Sequence, residues 1–502
     1  MGIKAALSKP FAKFVVNKIN QWSNNPIKHQ KQTFSYLIRK AQNTAFGKAH
    51  EFSNITDYTT FKQKVPIRDY EGLKPYIEQI IEGKPDVLWP GKPIYFSKTS
   101  GTTSGIKYIP ITKESIKHHI DAARNAILCY IHETKKTDFV DGKMIFLQGS
   151  PELTEKNGIK IGRLSGIVAH HVPAYLQKNR MPSYKTNCIE DWEQKVAAIV
   201  EETIHENMTL ISGIPPWVQM YFDKLLEKSG KQHICEVFKN FSLFIYGGVN
   251  YEPYRKKMEA TIGKKVDAIE LYPASEGFIA YQNSQKDNGL LLNLDAGIFY
   301  EFIPAEEFYN ENPNRISLED VVLNKNYVII LNTNAGLWGY NIGDTVKFTS
   351  LNPYKIVVTG RIKHFISAFG EHVIGEEVDA CIRAASEKFN LNITEYHVAP
   401  EVNPKNDELP YHEWFIAFAE NQEKVKMEAI ADFMDTLLQN KNTYYKDLRE
   451  GKMLGQLKIR PLPHNAFILY MKSIGKLGGQ NKVPRLANDR KIADKLSEFL
   501  NN

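Results

Sequence analysis

Residues 98–110 read KTSGTTSGIKYIP, and this stretch is the most informative one in the chain. It places two glycines and five hydroxyl side chains between strand-prone segments, and it continues into Lys107. Glycine lets backbone N–H groups approach an anion, hydroxyls donate further hydrogen bonds, and a lysine adds positive charge. The usual P-loop is excluded, because Tyr108 stands where that motif needs Ser or Thr. The stretch predicts a phosphate-holding loop, although a flexible Ser/Gly turn has the same composition.

The segments around this loop predict a strand on each side and then a helix. Residues 94–96 and 108–109 are short apolar strands, and Thr112 has the character of a helix N-cap. Four apolar residues then recur at helical spacing: Ile116, Ile120, Ala123 and Ile127. The loop is therefore expected to join two neighbouring strands.

Strand and helix patterns alternate along the rest of the chain. Apolar strands are predicted at 144–147, 243–246 and 327–331, separated by helical stretches such as 192–205. This alternation predicts an α/β fold. Near 356–358 a strand pattern meets glycine and charge, which indicates a boundary. We expect an N-terminal domain of β-sheets and flanking helices over 1–359, a hinge over 360–364, and a smaller, mobile α+β domain over 365–502.

Composition indicates a large folded protein of the cytoplasm. The chain has 502 residues, 42% of them apolar, and a net charge of +7. Its four cysteines lie far apart without a Cys-x-x-Cys pair, so neither a disulfide framework nor a zinc site is expected. No segment is typical of a signal peptide or a membrane span, and no stable membrane association is expected.

The C-terminal stretch is basic. From Lys441 onward there are 13 Lys and Arg against 5 Asp and Glu, a net charge of +8, so this stretch carries as much as the whole excess of the chain. Such a module can bind nucleic acid, a membrane surface or a polyphosphate. Nucleic acid is the weaker choice, because the positive residues are scattered and mixed with acidic ones.

Two further motifs follow predicted strands. Residues 246–249 read YGGV, where two glycines would let a flat ring lie against bare backbone, or would form a tight turn. Residues 271–277 read LYPASEG. There Glu276 can hold Mg²⁺ while Ser275 contacts phosphate, because that ion prefers oxygen ligands; a polar loop at a strand end is the alternative.

Three more motifs come later in the chain. Residues 339–344 read GYNIGD, in which Asp344 can accept hydrogen bonds from both ribose hydroxyls or cap a hairpin. Residues 360–373 carry glycines that bracket alternating residues, as in a hinge followed by a hairpin. Residues 478–485 read GGQNKVPR and place Lys482 on a glycine-rich loop, which can carry its charge to a distant phosphate.

Taken together and in this order, the motifs resemble the superfamily of adenylate-forming enzymes, which convert a carboxylate and ATP to an acyl adenylate. Residues 99–107 look like the superfamily's phosphate loop, 272–276 like its aromatic-x-x-Thr/Ser-Glu element, 340–344 like its Tyr-Arg-x-Gly-Asp element and 360–373 like its hinge. The match is most similar to the auxin-responsive-promoter (Gretchen Hagen) family of acyl acid amido synthetases. Its particulars are the loop that runs into Lys-Tyr-Ile-Pro, the Tyr-x-Ala-Ser-Glu-Gly element and the Gln-x-Lys-x-Pro-Arg terminus.

This resemblance implies ATP and Mg²⁺ as cofactors, and a carboxylic acid and an amino acid as substrates. The implied ATP-binding residues are Thr99, Ser100, Gly101, Thr102, Thr103, Gly105, Lys107, Gly248, Val249, Tyr272, Ala274, Ser275, Tyr340, Asp344 and Arg361. Glu276 is implied as a catalytic residue that binds Mg²⁺, and Lys482 as a catalytic lysine that neutralises the triphosphate. The C-terminal domain would swing near Lys363 between the two half-reactions.

Some positions depart from the family pattern. Asn341 stands where many superfamily members have arginine, and Lys363 where many have aspartate. The loop is one residue shorter before Lys107 than in many plant members, and Asn481 takes a position that is often tyrosine. The chain lacks room for the longer insertions of plant relatives, so a bacterial member is expected.

The residues that would bind the acyl group of the substrate are the hardest to identify from the sequence. Five residues are candidates for an apolar lining: Leu164, Val168, Tyr175, Ile214 and Trp217. Residues of these types at such spacings also occur in ordinary cores. The neighbouring His170 and His171 are not assigned as a base, because they have no acidic partner in sequence.

Three functions compete at this point. An amido synthetase is favoured, an acyl-CoA ligase of the same superfamily would share every ATP motif, and a basic binding module without catalysis is the third. No nucleic-acid or protein partner is expected.

Overall fold

The computed structural model describes residues 3–100, 106–172, 177–248, 251–362, 365–366, 373–402, 404, 408–419, 426–450, 454–477, 483–487 and 489–500. The chain divides into two compact units. The first consists of Met1–Val249 and Glu259–Val358, and the second of Asn250–Met258 and Thr359–Asn502.

The first unit combines helices with two sheets. Its helices are α1 (Ile3–Ser23), α2 (Pro26–Ala41), α3 (Ala45–Ala49), α4 (Tyr58–Lys64), α5 (Tyr70–Ile81), α6 (Lys113–Thr134), α7 (Leu164–Ala169), α8 (Tyr184–Asn187), α9 (Trp192–Thr203), α10 (Pro215–Ser229) and α11 (Ile234–Val237). Helix α12 (Glu252–Ile262) contributes residues to both units. Single 3₁₀ turns occur at Phe52–Asn54, Ala305–Glu307 and Leu318–Asp320.

The strands of the first unit follow the predicted alternation. They are β1 (Tyr95–Ser100), β2 (Ile106–Ile111), β3 (Lys143–Phe146), β4 (Thr154–Lys156), β5 (Ile159–Gly162), β6 (Arg180–Met181), β7 (Met208–Ser212), β8 (Leu243–Gly247), β9 (Asp267–Ala274), β10 (Gly277–Gln282), β11 (Leu290–Leu292), β12 (Ile298–Pro304), β13 (Ile316–Ser317), β14 (Asn326–Thr333), β15 (Tyr340–Leu351) and β16 (Tyr354–Arg361). The strands predicted at 94–96, 108–109, 144–147, 243–246 and 327–331 are confirmed. Their ends agree within two residues, except that β1 continues for four residues beyond 96.

The large sheet has a parallel part and an antiparallel part. Its order is β13-β12-β14-β15-β16-β11-β10-β9-β8-β7-β3-β6. At one end of this order, the five adjacent strands β9, β8, β7, β3 and β6 are all parallel to one another. The next strand, β10, pairs antiparallel with β9. The carboxyl ends of the parallel strands therefore lie along one edge, where open α/β sheets place their ligands. The smaller sheet has the order β2-β1-β5-β4.

Helix α6 begins where the sequence predicts it. The hydroxyl of Thr112 accepts the N–H of Ser115, and the hydroxyl of Ser115 accepts the N–H of Thr112, a complete capping box. The predicted apolar face of α6 is not the only buried face of this helix. Ile116 joins the small core around Tyr95, while a second row, Ala122, Ala126 and Cys129, packs into the main core. Because α6 packs against two cores, the single apolar face predicted from the sequence describes only part of its burial.

The second unit is an α+β assembly. Its strands are β17 (Phe365–Ile366), β18 (Val373–Ile374), β19 (Ile393–Glu401), β20 (Tyr411–Phe418) and β21 (Lys458–Leu462), and its other helices are α13 (Gly375–Phe389), α14 (Met427–Lys441), α15 (Thr443–Glu450), α16 (Ala466–Ser473) and α17 (Lys491–Ser497). The pair β17–β18 is the antiparallel hairpin predicted after the hinge motif. Strands β19, β20 and β21 form a separate sheet in that order.

Candidate active site

The predicted motifs converge on the edge where the parallel strands end. Gly248 directly follows β8, Ser275 follows β9, and Ile214 comes two residues after β7. Gly247 pairs with Leu271 across β8 and β9, and a Cβ on Gly247 would lie 2.3 Å from the carbonyl oxygen of Leu271. Only glycine permits this approach of the two backbones. Tyr246 and Gly247 of the YGGV motif thus form the end of β8, packed closely against β9, and Gly248 follows at a φ of +82°. Val249 lies outside the described residues.

Ser275 and Glu276 form the two-residue turn between β9 and β10. Ala274 and Gly277 are paired on either side of this turn. The hydroxyl of Ser275 lies 2.8 Å from that of Ser97, which is fully buried on β1. Since β1 leads into the phosphate-loop motif, this hydrogen bond ties the residue just before that motif to the LYPASEG motif, which is remote in sequence. Glu276 itself is half-buried at the tip of the turn.

The carboxylate of Glu276 contacts the GYNIGD motif. The hydroxyl of Tyr340 donates to Oε1 of Glu276 at 3.4 Å. Burial, reinforced by the negative charge of Glu276, raises the pKa of Tyr340 well above its usual value. Tyr340 therefore keeps its proton and acts as a hydrogen-bond donor that orients the carboxylate.

Asp344 is the second carboxylate at this place. It accepts a hydrogen bond of 2.6 Å from the hydroxyl of Tyr272, a residue of the LYPASEG motif. The ladder between β14 and β15 shifts register here, and Gly343 has a φ of +89°. Such a bulge changes the direction in which the next side chain points. The alternative that Asp344 caps a hairpin does not apply, because β15 continues to Leu351.

Asn341 has a local role that explains its presence. Its side-chain oxygen accepts the N–H of Gly343 at 2.8 Å, and its own N–H donates to the carbonyl of Arg68. These bonds hold the bulge that precedes Asp344. The residue that replaces the more common arginine thus supports the backbone of the motif.

The two ends of the phosphate-loop motif are held by a strand pair. Thr99 is paired with Lys107, and Ser100 with Ile106. The ammonium group of Lys107 lies 5.5 Å from the ring centroid of Tyr70, whose hydroxyl accepts the N–H of Tyr108. The pairing of β1 with β2 thereby brings the two ends of the motif together.

Several predicted site residues lie elsewhere. Arg361 is an exposed residue at the end of β16 and belongs to the second unit. Eight predicted positions lie outside the described residues: Gly101, Thr102, Thr103, Gly105, Val249, Tyr175, Lys363 and Lys482. Among the residues that the structure describes, no group of three or more His, Cys, Asp or Glu side chains is arranged to hold a metal.

The acyl-pocket candidates fall into two places. Leu164 and Val168, on α7, pack with Tyr95 in a small apolar cluster. Trp217, on α10, is 95% buried and lies 4.7 Å from the ring of Trp192. Ile214 is half-buried at the start of α10. Leu164 and Trp217 make the contacts of core residues, while Val168 and Ile214 retain an exposed part.

The two histidines have structural contacts. Nε2 of His170 lies 2.7 Å from the carbonyl oxygen of Pro151, and Nε2 of His171 lies 3.0 Å from the hydroxyl of Tyr95. Burial lowers the pKa of His171, and its neighbour His170 lowers it further. These contacts fix the segment after α7 against β1.

Sequence reasoning missed a buried lysine near the same edge. The ammonium group of Lys195, on α9, donates to the carbonyl oxygens of Gln148 (3.0 Å) and Asn187 (2.6 Å). Burial lowers its pKa to about 8. Gln148 follows β3, so Lys195 ties a strand-end loop to α9. Its spacing from Trp192 and Ile199 on the apolar face of the helix was the available signal.

Comparison with known proteins identifies the family to which these features belong. Residues 15–187 match the GH3 family N-terminal domain, 291–361 the GH3 family central domain and 376–491 the GH3 family C-terminal domain. Among curated proteins, the chain is 22% identical to the jasmonoyl-L-amino acid synthetase JAR6 of Nicotiana attenuata, over 94% of this chain and 93% of that protein.

Solved structures share the fold. The acyl acid amido synthetase AtGH3.15, in complex with 2,4-DB, superposes with a TM-score of 0.80 at 15% identity and covers 97% of this chain and 96% of its own. A 2-hydroxyisobutyryl-CoA ligase superposes with a TM-score of 0.60 at 13% identity, covering 94% and 92%. The predicted α/β fold with a smaller second part is therefore confirmed. Because the three domain models follow one another in order and together match more than two thirds of the residues, the chain belongs to the GH3 family.

Proposed function

We propose that this protein is an ATP-dependent acyl acid amido synthetase. It converts a carboxylic acid to an acyl adenylate and then transfers the acyl group to the amine of an amino acid. The observation that carries the proposal is a set of side-chain hydrogen bonds around the LYPASEG motif. Ser275 bonds to Ser97, just before the phosphate-loop motif, while Glu276 and Tyr272 bond to Tyr340 and Asp344 of the GYNIGD motif. Membership of the GH3 family supports it.

The first half-reaction is a displacement at phosphorus. An oxygen of the substrate carboxylate attacks the α-phosphorus of ATP, and pyrophosphate leaves with the bonding electrons. Ser100, Thr102, Thr103 and Lys482 are proposed to neutralise the triphosphate, while Asp344 holds the ribose hydroxyls. The hydrogen bond from Tyr272 orients the Asp344 carboxylate for that task and uses only part of its capacity to accept.

The surroundings of Glu276 fit a magnesium ion held largely by substrate. Mg²⁺ is usually bound through one or two carboxylates together with phosphate oxygens, and Glu276 is a half-buried carboxylate at the strand-end edge. When bound, the ion would reduce the negative charge of the phosphates. Tyr340 holds Oε1 of Glu276, which limits the directions in which the carboxylate can turn.

The second half-reaction forms the amide. The amine nitrogen attacks the acyl carbonyl carbon, AMP departs with the electrons of the acyl–oxygen bond, and the nitrogen loses a proton. AMP is a better leaving group than the oxide of a free carboxylate, which is the reason for the adenylate.

Exchange of pyrophosphate into ATP tests the proposal. With a panel of aryl and alkyl acids, at least one acid should support exchange, and the same acid with an amino acid should give an amide and AMP. A protein that supports no exchange with any acid would be a binding module and not a ligase. Exchange followed by thioester formation with coenzyme A, and no amide, would overturn the amido synthetase assignment.

The acyl-CoA ligase remains the second candidate because of the structural likeness to a 2-hydroxyisobutyryl-CoA ligase. Cytoplasmic location and a bacterial source also stay part of this proposal, the first supported by the four dispersed cysteines. The curated relative reported above is a plant protein. In the described part of the chain, none of the helices has the length and apolar character needed to cross a membrane.

A further inference from the structure

Helix α1 has one apolar face that is used by the fold. Ala12, Val15 and Ile19 are buried in the main core, together with residues of α6. This packing explains why the helix forms and where it lies, since an amphipathic helix is stabilised mainly by the face it buries.

A second set of apolar side chains on α1 is turned toward solvent. Leu7, Phe11 and Phe14 are 63%, 44% and 54% exposed, respectively. Their spacing of four and three residues places them on one line along the helix. We call these three residues the N-terminal apolar row. The GH3 family N-terminal model begins at residue 15, so the row precedes the part of the chain that the family model matches.

Lysines continue this row at both ends. Lys4 precedes Leu7 by three residues, and Lys18 follows Phe14 by four. The ammonium group of Lys18 lies 4.4 Å from the ring centroid of Phe14, and that of Lys4 donates to Asn179. The three apolar side chains of the row are thus flanked along the helix by a lysine on each side.

The surrounding part of the chain is strongly basic. Residues 1–50 contain nine Lys and Arg and no Asp or Glu. The chain therefore has a second basic region besides its C-terminal stretch. Lys9 and Lys13 are exposed on α1. On α2 an open groove of about 650 Å³ is lined partly by Lys28, Lys31 and Arg39, of which Lys31 pairs with Glu319. An anionic partner would complement the charge of this region.

We propose that the N-terminal apolar row, with the lysines around it, docks reversibly on an anionic lipid bilayer. Exposed Phe and Leu side chains can enter the boundary between headgroups and acyl chains, while lysines approach acidic headgroups. Nucleic acid would satisfy the charge but not the apolar row. Three apolar side chains and a few lysines give weak, salt-sensitive binding, which differs from the stable membrane association that the sequence argued against.

Vesicle co-sedimentation of the full chain tests this inference. The protein should pellet with phosphatidylcholine vesicles that contain phosphatidylserine, and high salt should release it. Vesicles of phosphatidylcholine alone should leave it in the supernatant. Pelleting that is equal with both vesicles, or that salt does not affect, would overturn the electrostatic part of the inference.

Variants distinguish binding through the N-terminal apolar row from nonspecific hydrophobic adsorption. The combined change Leu7→Ser, Phe11→Ser and Phe14→Ser should weaken partitioning by about tenfold or more, because it removes the groups that enter the bilayer. The matched control, Val322→Ser with Leu323→Ser, removes two other exposed apolar side chains and should bind normally. Lys9→Glu with Lys13→Glu should also weaken binding. Each variant is first shown to melt like the wild type.

Two results would contradict the inference. If the folded row variant binds acidic vesicles as well as the wild type does, the row is not the contact. If the wild type is a dimer at the concentrations used and the row variant is a monomer, the row belongs to a second copy of the chain. Neither measurement depends on ligase activity, so the outcome is separate from that of the proposed function.

Discussion

At the scale of residues, the candidate site contains two carboxylates that are each held by a tyrosine hydroxyl. Tyr272 donates to Asp344 and Tyr340 donates to Glu276. A neutral hydroxyl donor orients a carboxylate without placing a positive charge beside it. The two tyrosines are buried, at 8% and 2% exposure, which restricts their movement.

Asp344→Ala should weaken ATP binding. Charge-assisted hydrogen bonds to ribose hydroxyls are each worth about 1.5–3 kcal/mol. Titration calorimetry of the folded variant with ATP measures the loss. Tyr272→Phe is the matched control, because it removes the hydrogen bond to Asp344 and leaves the charge, and its loss should be smaller. Unchanged ATP affinity in Asp344→Ala would make the residue a structural part of the bulge.

Glu276→Gln should fold normally and lose adenylation activity by roughly 10²-fold or more, because glutamine keeps the shape of the side chain without the charge that binds Mg²⁺. Pyrophosphate exchange measured across a magnesium titration gives the effect. Tyr340→Phe keeps the carboxylate and should lose less. Exchange near the wild-type rate in Glu276→Gln would remove this residue from the metal site.

Lys195 makes stability depend on pH. Burial lowers its pKa from 10.5 to about 8. Between these values the unfolded chain binds a proton that the folded chain does not, so the free energy of unfolding rises with pH. Lys195→Met lacks this dependence. The stability of the wild type relative to this variant should therefore increase from about pH 8 to about pH 10. Urea unfolding of both proteins across that range checks the sign, and a constant difference would contradict it.

At the scale of elements, the strand pair β8–β9 carries residues of two predicted motifs, YGGV and LYPASEG. The pairing of Gly247 with Leu271 brings the end of β8 next to β9, the strand that Ser275 follows. If the flat ring of a ligand is to lie against the backbone here, the residues at the end of β8 must have little or no side chain, as glycine does.

Gly247→Ala should destabilise the protein by about 1–3 kcal/mol, because its Cβ would lie 2.3 Å from the backbone oxygen of Leu271. Gly375→Ala is the control. Gly375 is the first residue of α13, and a Cβ there would have its nearest neighbour, the carbonyl oxygen of Thr359, at 3.5 Å. This change should be neutral or slightly stabilising. Chemical unfolding of the two variants compares them, and equal stability would show that β8 can shift without cost.

At the scale of the whole molecule, the predicted catalytic lysine belongs to the second unit, while the carboxylates belong to the first. Lys482 lies outside the described residues, but the chain that follows it is anchored. The carbonyl of Arg485 accepts the N–H of Val398, and the Arg485 guanidinium pairs with Asp379 at 3.3 Å. The segment after Lys482 thus runs beside β19 and is tied to α13.

Lys482→Ala should slow formation of the acyl adenylate by roughly 10²-fold, the scale of losing one well-placed charge at a developing phosphate. Amide formation from presynthesised acyl adenylate and amino acid should proceed at close to the normal rate. Rapid-quench measurement of the two half-reactions separates them. Equal damage to both would mean that the lysine serves throughout, and no damage to either would make it a solvated surface charge.

The sequence by itself determined the local elements and the motifs. The strands β1 and β2, the Thr112 cap and the β17–β18 hairpin follow from residues within a few positions of one another, so their causes are visible in a short window. The order of the motifs was sufficient to indicate the family. The two-sided burial of α6 was not predictable, because the second face depends on what packs against it.

Only the tertiary structure decided which motif residues meet. Ser97 and Ser275 are 178 positions apart, Tyr272 and Asp344 are 72 apart, and Tyr340 and Glu276 are 64 apart. Such pairs depend on the order and register of strands, which no local pattern encodes. The exposure of the N-terminal apolar row is of the same kind. An apolar residue on a helix is buried or exposed according to the surface that the rest of the chain brings to it, and this is a property of the folded molecule.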